Sequence, residues 1–184
     1  MNTHWQKLYA ALPCAALVAL AAMPAPGASA QDGPPPTVLL KGHGADLAGA
    51  EFSPDGSKVV TASSDHTARI WDAGTGVVIA TLAGHDEGVR SATFSSDGTR
   101  ILTASRDGSA KIWDANTGAL ITTLSGHGEM LEDGAFNADG SAIVTASRDG
   151  KATVWNARTG AVVADLVGHA SPVMQAASAR TASV

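Results

Sequence analysis

Apolar and polar positions follow one another along the chain in short runs with period two, separated by glycine-bearing turns. Val77 to Leu82, Val89 to Phe94, Arg100 to Ser105 and Ala110 to Trp113 each read as one strand. No stretch sustains a helical period. Asp55-Gly56, Asp97-Gly98 and Asp139-Gly140 fall between the second and third strands, where a tight turn wants residues that tolerate positive φ. Asp107-Gly108 and Asp149-Gly150 do the same between the third and fourth. Thr75-Gly76, Thr117-Gly118 and Thr159-Gly160 return the chain after each internal tryptophan.

These signals recur at a fixed interval. Gly42-His43, Gly84-His85, Gly126-His127 and Gly168-His169 lie 42 residues apart, and Phe52, Phe94 and Phe136 share that interval. So do Asp65, Asp107 and Asp149, and Trp71, Trp113 and Trp155. Residues 77–118 and 119–160 agree at 21 of 42 positions. Four antiparallel strands in 42 residues make a small twisted sheet that cannot bury both faces by itself, so neighbouring sheets must stack.

With Gly-His, Asp-Gly, Ser-x-Asp and Trp in each copy, the chain closely resembles the WD-repeat family of β-propellers. Trp71-Asp72 and Trp113-Asp114 match the family's terminal pair, and Trp155-Asn156 departs from it while keeping a polar turn former. The resemblance covers nearly all of residues 37–177 and implies an all-β fold of propeller blades: copies at 37–76, 77–118 and 119–160, and part of a fourth at 161–177. It also implies that Thr37 to Lys41 is the outer strand of blade one. Closed propellers typically have four to eight blades. An arc of three leaves two apolar blade faces uncovered, which predicts association, including pairing of two chains into one ring.

Composition adds limits. The 184 residues are 45% hydrophobic and 16% charged with net charge −5, which is globular and lacks the basic footprint of a nucleic-acid binder. Residues 1–30 read as a secretory signal. Lys7 supplies its positive region, Leu8 to Met23 its apolar run, and Ala28-Ser29-Ala30 its cleavage site. Pro13 interrupts that run, which is shorter than the roughly 20 residues a membrane span needs, so no stable anchor is expected after cleavage. Cys14 belongs to the signal, because Ala11-Leu12-Pro13 is a poor lipoprotein pattern, and the mature chain then has no cysteine to form a disulfide. Residues 31–36, with Pro34-Pro35-Pro36, form a stiff spacer. The expected location is the periplasm or the cell exterior.

Each copy holds a histidine, an aspartate, a serine and a tryptophan: His43, Asp65, Ser63 and Trp71; His85, Asp107, Ser105 and Trp113; His127, Asp149, Ser147 and Trp155. In the second copy Thr103, two residues back on the same strand face, is an alternative to Ser105. A hydrolase needs an exposed nucleophile, a base and an oxyanion hole once, and no Gly-x-Ser-x-Gly elbow is present. Resemblance to WD-repeat proteins implies instead a hydrogen-bonded chain within each blade, with the aspartate accepting from the histidine and the tryptophan N–H closing the set. No catalytic residue is expected. Zinc ligands must converge at about 2 Å, which copies on successive blades do not, and no His-x-x-x-His occurs, so no metal is expected. His66, where Gly108 and Gly150 stand in other copies, reads as a solvated loop residue. Asp72 to Gly76 lacks the lysine and helix of a phosphate loop, and no cofactor is expected.

The loop after Gly-His varies most between copies. It places Asp86, Glu87, Arg90, Glu129, Met130 and Glu132 as contact candidates, with an acidic bias that suits a basic peptide or protein. The resemblance implies that this loop lies on one face of the disc. The leading expectation is an exported, non-catalytic protein-interaction scaffold. The alternatives are a ring completed by further blades with an enzymatic or sensory role, and a product without function of its own. The last follows from residues 178–184. The interval asks for phenylalanine at 178, but the chain reads Ser-Ala-Arg-Thr-Ala-Ser-Val, which is what Phe-Ser-Pro-Asp-Gly-Lys-Arg becomes when its G/C-rich codons lose one nucleotide. A frameshift of that kind makes this chain the front portion of a larger propeller.

Overall fold

The structure, a computed structural model, describes residues 7–8, 18–21 and 37–177. Most of the expected signal, the spacer 31–36 and the anomalous tail 178–184 lie outside the described residues. Among the described residues there is no helix.

The strands are β1 (Lys7–Leu8), β2 (Val18–Ala21), β3 (Thr37–Leu40), β4 (Leu47–Phe52), β5 (Lys58–Ser63), β6 (Thr67–Asp72), β7 (Val78–Ala83), β8 (Val89–Phe94) and β9 (Arg100–Ser105). They continue with β10 (Ser109–Asp114), β11 (Leu120–Ser125), β12 (Leu131–Phe136), β13 (Ala142–Ser147), β14 (Ala152–Asn156) and β15 (Val162–Leu166). Three four-stranded antiparallel meanders result: β4-β5-β6-β7, with β1 added at the β4 edge, then β8 to β11, and β12 to β15. These are blades one, two and three. Each runs from an inner strand after Gly-His to an outer strand after the tryptophan turn, so the sheets straddle the sequence copies. The outer strand of blade one is therefore β7, not Thr37 to Lys41. β3 instead pairs with β2, from Thr37 opposite Ala21 to Leu40 opposite Val18.

Alternation explains the layers. One face of blade one, with Val60, Ala62, Ala68, Ile70 and Leu82, packs against Val89, Phe94, Ile101 and Trp113 of blade two. Leu102, Ala110, Ile112 and Leu124 of blade two meet Leu131, Phe136, Ile143 and Trp155 of blade three in the same way. The cores therefore lie between sheets rather than within any one of them. Each fully buried leucine contributes about 2 kcal/mol from burial alone. The other face of blade one packs Val59 and Trp71 against Leu40 of β3.

Glycine is required where the outer turn meets the next sheet. Gly118 has φ +72°, and a Cβ there would stand 2.6 Å from the Ala80 Cβ of blade one. Asp72 holds the matching turn of its blade by accepting from the N–H groups of Gly74 and Thr75 and the Thr75 hydroxyl. Asn156 accepts from Arg158 N and Thr159 N, each at 3.0 Å, so the Trp-Asn copy keeps its turn.

Candidate functional site

The residues that invite a catalytic reading form one linear network per blade. In blade two, Trp113 Nε1 donates to Thr103 Oγ1 at 2.9 Å, Thr103 Oγ1 lies 2.8 Å from His85 Nε2, and His85 Nδ1 lies 2.7 Å from Asp107 Oδ2. Trp71, Thr61, His43 and Asp65 repeat it in blade one, and Trp155, Thr145, His127 and Asp149 in blade three. An indole N–H only donates and a carboxylate only accepts, so tryptophan donates to threonine and histidine Nδ1–H donates to aspartate. A neutral imidazole then leaves Nε2 to accept the threonine O–H, whereas a charged one would donate to the same oxygen. Burial lowers the His43 and His85 pKa despite the hydrogen bonds they donate to Asp65 and Asp107. Burial would raise the Asp65 and Asp107 carboxyls, but hydrogen bonds outweigh it and hold both well below the usual range. For Asp65 the donors are Thr67, Gly44 N and His43; for Asp107 they are Ser109 and His85.

The hydroxyl that joins histidine to tryptophan is thus the threonine, not Ser63, Ser105 or Ser147. Those serines sit two residues nearer the hairpin. Ser105 Oγ donates to the carbonyls of Glu87 and Gly88 and accepts from Asp107 N, and Ser63 and Ser147 do likewise in their blades. Position on the strand decides the role, since only the threonine lies beside the ring of the tryptophan. Threonine and serine hydroxyls alike are buried and fully engaged. The three histidines each serve their own blade.

The contact candidates divide into two groups. Asp86, Glu87 and Glu129 are exposed and Met130 is half-buried, all in the loops that follow Gly-His. Arg90 and Glu132 are not free loop residues. Val89 pairs with Ser105 and Ser91 with Ala104, so Arg90 is the unpaired extra residue of a β-bulge, and Glu132 has the same place between Leu131 and Asp133. A bulge re-aims its side chain. Arg90 Nη2 lies 2.7 Å from Glu132 Oε2, and Arg148 Nε donates to Glu132 Oε1, so one buried carboxylate ties blade two to blade three. Burial raises the Glu132 carboxyl, but the hydrogen bonds from Arg148 and Arg90 outweigh it and keep it below its usual range. Sequence reasoning missed Arg148 and the pairing, although opposite charges at one repeat position 42 residues apart were a readable signal.

A cleft of about 320 Å³ opens beside this ion triad, walled by Ala48, Arg90, Ser91, Glu132, Asp133 and Met174. Asp133 is buried there and accepts from Gly134 N at 2.9 Å and Ala176 N at 3.3 Å. It was not singled out from the sequence, where nothing distinguishes it from a loop acid.

Comparison with known proteins agrees with this geometry. A 45-residue stretch is 44% identical to protein Mut11 of Chlamydomonas reinhardtii, and spans 24% of this chain but only 12% of that relative. The family model of the WD domain, G-beta repeat, matches residues 34–72, 76–114 and 118–156. Three matches in step with three sheets, each closed by its own Trp-Thr-His-Asp network, place the chain in the WD-repeat family of β-propeller proteins.

Proposed function

We propose that the chain is a non-catalytic protein-interaction scaffold, exported to the periplasm or cell exterior, that presents its Gly-His loops to a basic segment of a partner protein. The observation that carries this reading is the division of the polar residues. Every histidine, threonine and aspartate of the repeated networks is bonded within its own blade, while Asp86, Glu87 and Glu129 stand exposed on successive loops. Glu132 leaves the contact set because two arginines neutralise it. The remaining acids favour lysine- or arginine-rich chains, with a salt-sensitive on-rate. Export rests on the composition of residues 1–30.

Capture from periplasmic extract tests it, comparing the native chain with the Asp86→Asn, Glu87→Gln, Glu129→Gln triple variant. A partner recovered by the first and lost by the second at equal folding supports the reading. No partner above background, or one held equally by both, counts against it.

A second reading rests on the last copy, which keeps its spacing through Ala176 and then has Ser178 where Phe94 and Phe136 predict phenylalanine. On that reading a frameshift cuts short a larger propeller. Resequencing decides it: further Gly-His and Trp-Asp copies in another frame support it, and none downstream removes it.

A further inference from the structure

Each blade begins with its inner strand, and that of blade one is the least guarded. In blades two and three the bulge residue of the strand is charged, Arg90 in β8 and Glu132 in β12, and the two are tied together. Bulges and inward-pointing charges keep a strand edge from pairing with a foreign segment. The matching bulge residue of β4 is Ala48, between Leu47 and Gly49, so this edge runs Ala48-Gly49-Ala50 with small uncharged side chains. A Cβ on Gly49 would meet nothing within 4 Å, and Ala48 and Gly49 help to wall the cleft of about 320 Å³. Five of the six residues of β4 are only half-buried, against two in β8 and one in β12.

Among the described residues, this is also the inner edge that has taken an extra strand. β1 makes the sheet of blade one five-stranded, while those of blades two and three have four strands. Lys7 stands opposite Glu51 and Leu8 opposite Ala50 in antiparallel register. Opposite charges at facing positions of an antiparallel pair attract. Glu51 is peculiar to blade one, since the same repeat position is Thr93 in blade two and Ala135 in blade three. β1 belongs to the segment that the sequence marks for removal, with Lys7 as its positive residue and cleavage expected after Ala30. The occupant of the edge is then a temporary one, and pairing of a free edge with an extended segment is a general mode of recognition.

We propose that the inner edge of β4 is a strand-accepting site, held shut by residues 7–8 while the leader is attached. Removal of the leader opens it to an extended partner segment that places a lysine or arginine opposite Glu51. Such a segment, continuing past the position of Leu8, follows Gly49 and Ala48 along the wall of the cleft. The site is separate from the Gly-His loops. Its release rests on the export reading given above; its occupancy by β1 does not.

The test uses the full chain with a protease site inserted between residues 30 and 31, and a fluorescent peptide of residues 4–12 as the probe. After folding, cutting and removal of the leader, the chain should bind the peptide about tenfold or more tightly than before cutting, because the tethered segment no longer competes. Lys7→Glu in the peptide should weaken that binding severalfold, and Glu51→Lys in the chain should restore it. Equal affinity before and after cutting, no binding after cutting, or indifference to the charge at position 7 overturns the proposal. A second measurement needs no cut chain. Leu8→Pro in the intact chain disrupts the β1 pairing, so whichever of the Ala50 and Glu51 amides points away from β5 should exchange about tenfold faster, with the Val60 and Ile70 amides unchanged. Unchanged exchange at both Ala50 and Glu51 overturns the proposal. These readouts are made on purified protein and fail separately from the export reading. N-terminal sequencing of the exported chain decides that one: a start at Gln31 supports the opening step, and a start at Met1 overturns it.

Discussion

Trp113 Nε1 donates to Thr103 Oγ1, 2.9 Å away across the second and third strands of blade two. That hydroxyl also serves His85, so two buried groups of other residues depend on one oxygen. Thr103→Val keeps the shape and removes the oxygen, leaving an indole N–H and an imidazole nitrogen unpaired. The expected loss is about 2–4 kcal/mol, while Thr103→Ser costs about 1 kcal/mol or less. Ser105→Ala removes the hairpin bonds and leaves the His85–Trp113 link intact. Denaturant unfolding of the three variants checks the order.

The same networks predict how stability depends on pH. His43 and His85 have folded pKa values below their ordinary value of 6.5, so their contribution is complete above that value and is lost as pH falls below it. The Asp65 and Asp107 carboxyls are held below 3.8, and their contribution is present above that value and lost on further acidification. Unfolding free energy should therefore decline in two steps as pH is lowered. In His85→Gln the upper step shrinks and the lower remains. A curve that is flat from pH 7 to 5 in the native chain contradicts the neutral-imidazole assignment.

Glu132 is predicted to be structural. Glu132→Ala leaves Arg90 and Arg148 without their shared carboxylate at a blade junction, and because both guanidinium groups reach solvent the cost is about 1–2 kcal/mol. A double-mutant cycle with Arg90→Ala should return a coupling of about 1–2 kcal/mol. Capture of a partner should survive any of these changes that leaves the chain folded. Additive losses in the cycle count against the tie between blades.

His66 has φ +70°, whereas the same turn position in the other copies is glycine, with φ +79° at Gly108 and +80° at Gly150. A β-carbon in that region is strained, and His66 is exposed and contributes no burial in return. His66→Gly is expected to stabilise the chain by about 0.5–1 kcal/mol, after the added freedom of the unfolded glycine is subtracted. Thermal unfolding shows it as a rise in Tm.

The blades were readable because their constraints are local and repeated. Turn glycines, strand alternation and the tryptophan interval each point to four-stranded sheets that must stack, and β8 and β9 run where the pattern places them. Which strand joins which sheet was less readable, since repeat boundaries in sequence need not be sheet boundaries in space; hence β7, rather than Thr37 to Lys41, closes blade one. Thr103 and Ser105 lie on one strand face, so alternation alone does not choose between them, and depth along the strand does. Arg90 and Glu132 looked like solvated charges because period two assumes an unbroken register. The bulges at Arg90 and Glu132 break it and turn both side chains toward one another.

The central claim is that each sheet is completed by its neighbour and by its own indole-anchored network, and hydrogen exchange at the indole N–H groups tests it most directly. Trp71, Trp113 and Trp155 should all show protected Nε1 protons, with Trp113 and Trp155 losing protection when Leu82 or Leu124, respectively, is truncated to alanine. Free exchange at any of the three in the intact chain, or protection at Trp113 and Trp155 that does not respond to those truncations, contradicts the account.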